Sequence, residues 1–184
     1  MKEFLEQKRY NRLAKKMQRG DRQAAEKIFN HFYPRIFGFF LTQTCNRDLA
    51  EDLTQEVFLK VLRKIDSFDY RIGTFASWIW KIARNNLIDY YREKKAVYLE
   101  DCLANNRDFA TDGKNSPEEL SRKLEVENVL RVLKQFKPEE QEIFSLHYVA
   151  DLSYKTISEM TGKTEGALRT MIHRLNLKIK RKLK

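Results

Sequence analysis

Three observations predict an all-α chain built as two small helical domains joined by a flexible acidic linker. Apolar residues recur at spacings of three and four along most of the 184 residues, and no stretch alternates as a half-buried strand would. Helix breakers are sparse, with six Gly and three Pro. One segment, about 97–115, has few apolar anchors and an acidic balance (its core is DCLANNRDFATDGKNS), and it parts a domain at 1–96 from one at 116–184.

The chain opens on MKEFLEQKRYNRLAKKMQRGD, which is charged and helical in pattern and lacks the apolar core of a signal peptide. Residues 1–19 are basic, and the sequence assigns them no role. Asp21 is placed to cap a helix through about Pro34, with Ala24, Ala25, Ile28, Phe29 and Phe32 on its apolar side. A bend is expected near Pro34, after which Ile36, Phe37, Phe40 and Leu41 continue the apolar surface. In the next helix Leu49, Leu53, Val57 and Val61 step by four and form a buried face, leaving Glu51, Asp52, Gln55 and Glu56 outside. A loop follows over 68–74. A third amphipathic helix starts near Phe75, with Phe75, Trp78, Ile79, Ile82 and Ala83 inward and Lys81, Arg84, Asn85, Arg92, Lys94 and Lys95 outward or flanking.

Beyond the linker, Ser116-Pro117-Glu118-Glu119 supplies an N-cap, a first-turn proline and a glutamate at N3, a strong helix start. Leu120, Leu124, Val129, Leu130, Val132 and Leu133 form its stripe, and Lys137-Pro138-Glu139-Glu140 starts another helix. The stretch VADLSYKTISEMTGKTEGALRTMIHR then reads as helix, glycine turn, helix. Ile157 and Met160 point inward from the first of these. Gly162 is free to take positive φ in the turn. Thr164 can cap the second helix, and Glu165 suits its dipole. Leu168, Ile172 and Leu175 form the buried stripe, so Lys163, Arg169, Thr170, His173 and Arg174 face out. A helix-turn-helix sets its second helix in the major groove of duplex DNA. A plain helical hairpin would show the same turn.

Charge supports a polyanionic partner. The net charge is +10, and it is sorted: residues 163–184 hold eight Lys/Arg against one Glu, whereas 98–121 hold six Asp/Glu against two Lys/Arg. Cys45 and Cys102 stand far apart without metal-ligand spacing and read as small apolar side chains. With three histidines and no phosphate loop, nucleophile elbow or HExxH, neither a metal, a cofactor nor a catalytic site is expected. The longest apolar run, near Ile36 to Leu41, is too short to span a membrane, so a soluble cytoplasmic protein without membrane insertion is expected.

Aromatic and basic residues crowd 68–92. Phe75 and Trp78 are expected in the core. Tyr70, Trp80 and the Arg84/Asn85 pair fall in the loop or off the apolar stripe, where rings stack bases and Arg71, Lys81 and Arg92 follow phosphates of a single strand. The acidic face Glu51, Asp52, Gln55 and Glu56 reads either as a solubilising face or, since it must avoid DNA in so basic a chain, as a candidate surface for a basic or amphipathic protein partner.

Four stretches in this order, RDLAEDLTQEVFLKVLRKIDSFD, GTFASWIWKIARNNLIDYYREKK, SPEEL and LSYKTISEMTGKTEGALRTMIHRL, resemble an extracytoplasmic-function (ECF) sigma factor of bacterial RNA polymerase over about residues 20–180. The resemblance implies a promoter-specificity subunit without catalysis, serving a stress or envelope-signal regulon. The first domain would be sigma region 2-like. Its acidic helix, with Asp48, Glu51, Asp52, Gln55, Glu56 and Phe58, would dock on the clamp helices of the largest polymerase subunit. Tyr70, Arg71, Trp80, Lys81, Arg84 and Asn85 would hold the single-stranded −10 element with one base flipped out. The last domain would be sigma region 4-like. It would read the −35 duplex through Lys163, Glu165, Arg169, Thr170, His173 and Arg174 and rest on the polymerase flap. The acidic linker would thread the RNA exit path. An anti-sigma factor is a further implied partner. Ser158 and Lys163 depart from the resembled pattern, which favours Ala and an apolar residue there. The rival readings are a stand-alone helix-turn-helix regulator, which would need neither the acidic helix nor the aromatic-basic loop, and an enzyme acting on nucleic acid, which would need a carboxylate or metal cluster.

Overall fold

A computed structural model describes residues 2–93, 129 and 131–182. The linker expected at 97–115 and the helix start at Ser116 lie outside the described residues. The chain divides into two compact units, residues 1–105 and 106–184. Among the described residues all regular structure is helical, and no helix is long and apolar enough to cross a membrane.

The described residues of the first unit form α1 (Lys2–Met17), α2 (Arg22–Thr44), α3 (Arg47–Lys64) and α4 (Phe75–Glu93), with a 3-10 turn at Ile65–Ser67. Helices α2 and α3 pair, α4 packs on α3, and α1 lies against both α2 and α4. Asp21 caps α2 as expected, its Oδ1 accepting from the N–H of Ala24 at 3.0 Å. Asn46 does the same for α3, accepting from Leu49 at 3.0 Å. The bend expected at Pro34 does not divide α2, which runs unbroken through it. A proline inside a helix costs roughly 3 kcal/mol. Ile28, Phe32, Ile36, Phe39 and Phe40 are all buried on one side of α2, and each such side chain contributes roughly 1.5–3 kcal/mol. Burial of both halves in one core therefore outweighs the lost hydrogen bond. Phe29, expected inward, is 43% exposed and lies in a surface aromatic group with Tyr33 and Phe58.

The buried arc of α4 also differs from expectation. Phe75, Ile79, Trp80, Ala83, Asn86 and Leu87 are buried, while Trp78 and Ile82 are only partly covered. Trp80, expected outside, is fully buried, with its ring edge-on to Phe39 at 5.6 Å between centroids. Asn86, a polar residue, is part of the same buried arc. Its amide donates to the Leu53 carbonyl at 3.3 Å and its Oδ1 accepts from Lys60, so the face that α4 turns toward α3 is a mixed one rather than its most apolar stripe, with its polar member hydrogen-bonded.

The second unit comprises α5 (Pro138–Tyr148), α6 (Tyr154–Thr161) and α7 (Glu165–Lys182). Glu140 accepts from the Lys137 N–H at 3.1 Å, which closes the start of α5 around Pro138. Ile143, Leu146, Ile157, Leu168 and Leu175 form the centre of its core, joined by Val132, Leu133 and Phe136.

Candidate nucleic-acid interface

The loop between α3 and α4 is anchored at both ends by buried rings. Phe68 and Phe75 meet edge-on at 5.4 Å, and both touch Trp78. Between these anchors Tyr70 is 47% and Ile72 88% exposed. The Ile72 N–H donates to the Asp69 carbonyl at 3.0 Å, and the Arg71 N–H donates to Asp69 Oδ1 at 2.9 Å. The same carboxylate takes the Arg71 guanidinium through two nitrogens, at 2.9 and 2.6 Å. The Arg71 side chain, then its N–H, holds the Asp69 carboxyl down at about 2. Arg71 is thus aimed by its neighbour but stays exposed. Thr74 caps α4, its hydroxyl accepting from the Ser77 N–H at 3.1 Å.

This loop is also held from a distance by α1 and the turn that follows it. Gln18 donates through Nε2 to the carbonyls of Ile65 and Phe68, at 2.8 and 2.9 Å. Lys15 places its ammonium 3.3 Å from the centre of the Tyr70 ring. Asn11 accepts from the Phe75 N–H at 2.7 Å, satisfying a first-turn donor of α4. Nothing local marks these contacts, whose partners stand 47 to 64 positions apart, so sequence reading missed them.

On α4, Lys81 and Asn85 are exposed one turn apart, with Arg84 half-buried beside them, and Ile88 and Arg92 extend the same strip. Tyr70, Arg71, Lys81, Arg84 and Asn85 are therefore accessible. Trp80 is not, and offers no face for a base. Tyr91 is occupied structurally, its hydroxyl donating to the Gln43 carbonyl at 2.9 Å.

On α3, Asp48, Asp52, Gln55 and Glu56 are exposed and Glu51 is half-buried. Phe58 departs from that surface: it is 9% exposed and packs on Phe29 and Tyr33. Successive helical residues diverge by about 100°, which carries position 58 toward α2. Leu59 and Leu62, 50% and 56% exposed, continue the outer strip and were not singled out from the sequence. Glu56 is bound to Lys60 at 2.7 Å, and that hydrogen bond lowers its pKa.

In the second unit Ser153 caps α6 through the Thr156 N–H at 3.2 Å. Gly162 closes it at φ 73, its N–H donating to the Ser158 carbonyl at 2.8 Å. The Thr164 hydroxyl accepts from Ala167 at 3.3 Å and starts α7. Leu168, Ile172, Leu175 and Ile179 bury one side of α7, and Arg169, Thr170, His173 and Arg174 are exposed on the other. Arg169 is held by Glu165 at 3.3 Å and lies 4.9 Å from the centre of the Tyr154 ring. Lys163 is tied to Glu139 of α5 at 2.7 Å, so its charge is already partnered within the unit.

Two family descriptions match the chain: Sigma-70 region 2 over residues 28–97 and Sigma-70 region 4 over 127–175. The RNA polymerase sigma factor CarQ of Myxococcus xanthus is 33% identical, over 84% of this chain and 86% of that protein. The ECF RNA polymerase sigma factor BldN of Streptomyces coelicolor is 28% identical over 88% of this chain, and the alignment takes in 61% of that longer protein. The solved structure of the sigma factor RpoE in complex with the anti-sigma factor NepR from Bartonella quintana shares the fold, with a TM-score of 0.65 at 19% identity over 86% of this chain and 95% of that one.

Proposed function

The chain belongs to the extracytoplasmic-function sigma factors of bacterial RNA polymerase, and on that premise we propose how its surfaces divide the work of initiation. As a sigma factor it is not an enzyme. It binds core polymerase and promoter DNA and directs transcription from its own promoters. The outer strip of α3, with Asp48, Glu51, Asp52, Gln55 and Glu56, docks the clamp helices, and Leu59 and Leu62 extend that strip with apolar area. Tyr70 and Arg71 of the loop, with Lys81, Arg84 and Asn85 of α4, hold the unpaired −10 strand. Arg169, Thr170, His173 and Arg174 of α7 enter the −35 major groove. Glu165 and Lys163 shape that surface through their ion pairs to Arg169 and Glu139. The protein acts in the cytoplasm, where polymerase is, and an anti-sigma factor is a partner of the kind seen with its structural relative.

One observation carries this division: an acidic strip and two basic-polar surfaces occupy different helices, with no like-charged surface asked to meet its own sign. The test is binding of purified core RNA polymerase, followed by transcription from a randomised promoter library. Asp52→Lys is expected to weaken core binding while leaving the fold intact, and Arg169→Ala to spare core binding and reduce −35 selectivity. Equal loss of one and the same activity in both variants would refute the assignment.

A further inference from the structure

The guanidinium of Arg169 has neighbours on two helices. On its own helix Glu165, one turn earlier, accepts from Nη2 at 3.3 Å. On α6 the ring of Tyr154, the first residue of that helix, has its centre 4.9 Å from the Arg169 Cζ. Tyr154 is itself seated. The His147 ring of α5 stacks on it at 4.5 Å between centroids, with 26° between the planes. His147 is fixed in turn, because its Nδ1–H donates to the Leu152 carbonyl at 3.2 Å. Both rings are half-buried and Arg169 is exposed, so a column that starts on α5 ends on the outer face of α7.

The two contacts on Arg169 differ in chemistry. Glu165 occupies a donor of the guanidinium, and an exposed pair one turn apart is weak. Tyr154 meets the cation with its ring and occupies no N–H. Arginine reads guanine through two parallel N–H bonds to O6 and N7, so a holder that leaves the fork unoccupied suits that task. A long side chain ordered before DNA arrives also loses less rotamer freedom on binding.

We propose that Tyr154 is a positioning residue for −35 discrimination: its ring, seated on His147, holds the Arg169 guanidinium at the base edge that it reads. The proposal rests on the reading of Arg169 as a −35 contact. Tyr154 then acts on sequence preference through Arg169, with no base contact of its own. The ring supplies the effect and the hydroxyl does not.

The test uses holoenzyme made from this chain and core polymerase. The probes are a promoter recovered from the randomised library and its variants with each base pair at each −35 position. Arg169→Ala identifies the position that Arg169 reads. Tyr154→Leu should lower discrimination at that position about two- to five-fold, the size of an exposed cation–π contact. It should leave the other positions and the slope of log affinity against log salt unchanged, because no phosphate contact is lost. Tyr154→Phe keeps the ring and should match the parent chain. His147→Leu should act in the same direction as Tyr154→Leu, and it is read in its place where Tyr154→Leu lowers the thermal midpoint. Combined with Arg169→Ala, Tyr154→Leu should change discrimination no further, since nothing is left to hold.

Unchanged discrimination in both leucine variants overturns the proposal. So does an affinity loss spread evenly over all −35 sequences, or a reduced salt slope, which would make Tyr154 a packing or phosphate-contacting residue. A Tyr154→Phe variant that behaves like Tyr154→Leu overturns it as well, because the hydroxyl would then be the working group. These failures leave the −35 reading of Arg169 standing. If Arg169→Ala flattens no position, that reading falls and the proposal with it.

Discussion

The loop of the first unit and the helix-turn-helix of the second, the two surfaces proposed for nucleic acid, both carry exposed basic residues, but they are built in opposite ways. The helix-turn-helix is assembled locally. Ser153, Gly162 and Thr164 set its helix ends through bonds spanning three or four residues, and the buried and exposed faces of α7 follow from one stripe. The loop is assembled from afar. Its ends and middle are fixed by Asn11 and Lys15 of α1 and by Gln18 just beyond it, separated from the loop by the whole of α2 and α3. A locally built surface survives changes elsewhere in its unit, whereas a remotely built one inherits every change in packing.

The largest expected effect is at Trp80, where core and surface readings diverge most. Trp80→Ala should destabilise the first unit by about 3–5 kcal/mol in denaturant unfolding, the range for a buried tryptophan. A stable variant with impaired strand binding would return Trp80 to the surface. Next comes the pair of adjacent asparagines. Asn86→Ala should cost about 1–3 kcal/mol, because it removes buried hydrogen bonds to the Leu53 carbonyl and to the charged Lys60. Asn85→Ala should stay within about 0.5 kcal/mol, as exposed substitutions do. Equal stability losses at the two positions would show that the register of α4 is wrong.

Smaller effects compare local with remote control. Gly162 has positive φ and open space around its missing Cβ, so Gly162→Ala costs only the backbone strain, about 1–2 kcal/mol. Asn11→Ala should cost about 1 kcal/mol, as loss of a helix-capping side chain does. It should also speed hydrogen exchange at the Phe75 amide. Unchanged exchange there would mean that α1 does not hold the loop.

The smallest effect is at Asp69. Its carboxyl is held at about 2, against an ordinary 3.8, by the Arg71 side chain and then the Arg71 N–H. A depressed carboxylate contributes stability that is fully present above the unfolded value and lost as pH falls from there through about 2. Because the pair is exposed, the change should appear in loop order rather than in the melting point. Carboxyl-detected NMR titration should place Asp69 near 2, and a value near 3.8 would mean that the pair does not persist in solution.

By itself the sequence determined the described helices, their ends at Asp21, Pro138, Gly162 and Thr164, the outward face of α7 and most of the acidic strip of α3. These depend on periodicity and on bonds within a turn, both written in adjacent residues. Only tertiary structure decided that Trp80 and Phe58 point inward, that the polar Asn86 takes a buried place in the α4 interface, that Pro34 leaves α2 whole, and that α1 and Gln18 hold the loop. Each of these outcomes depends on which helix lies opposite. A neighbour brought from 26 to 64 positions away supplies the hydrogen bonds and contacts that outweigh the local pattern.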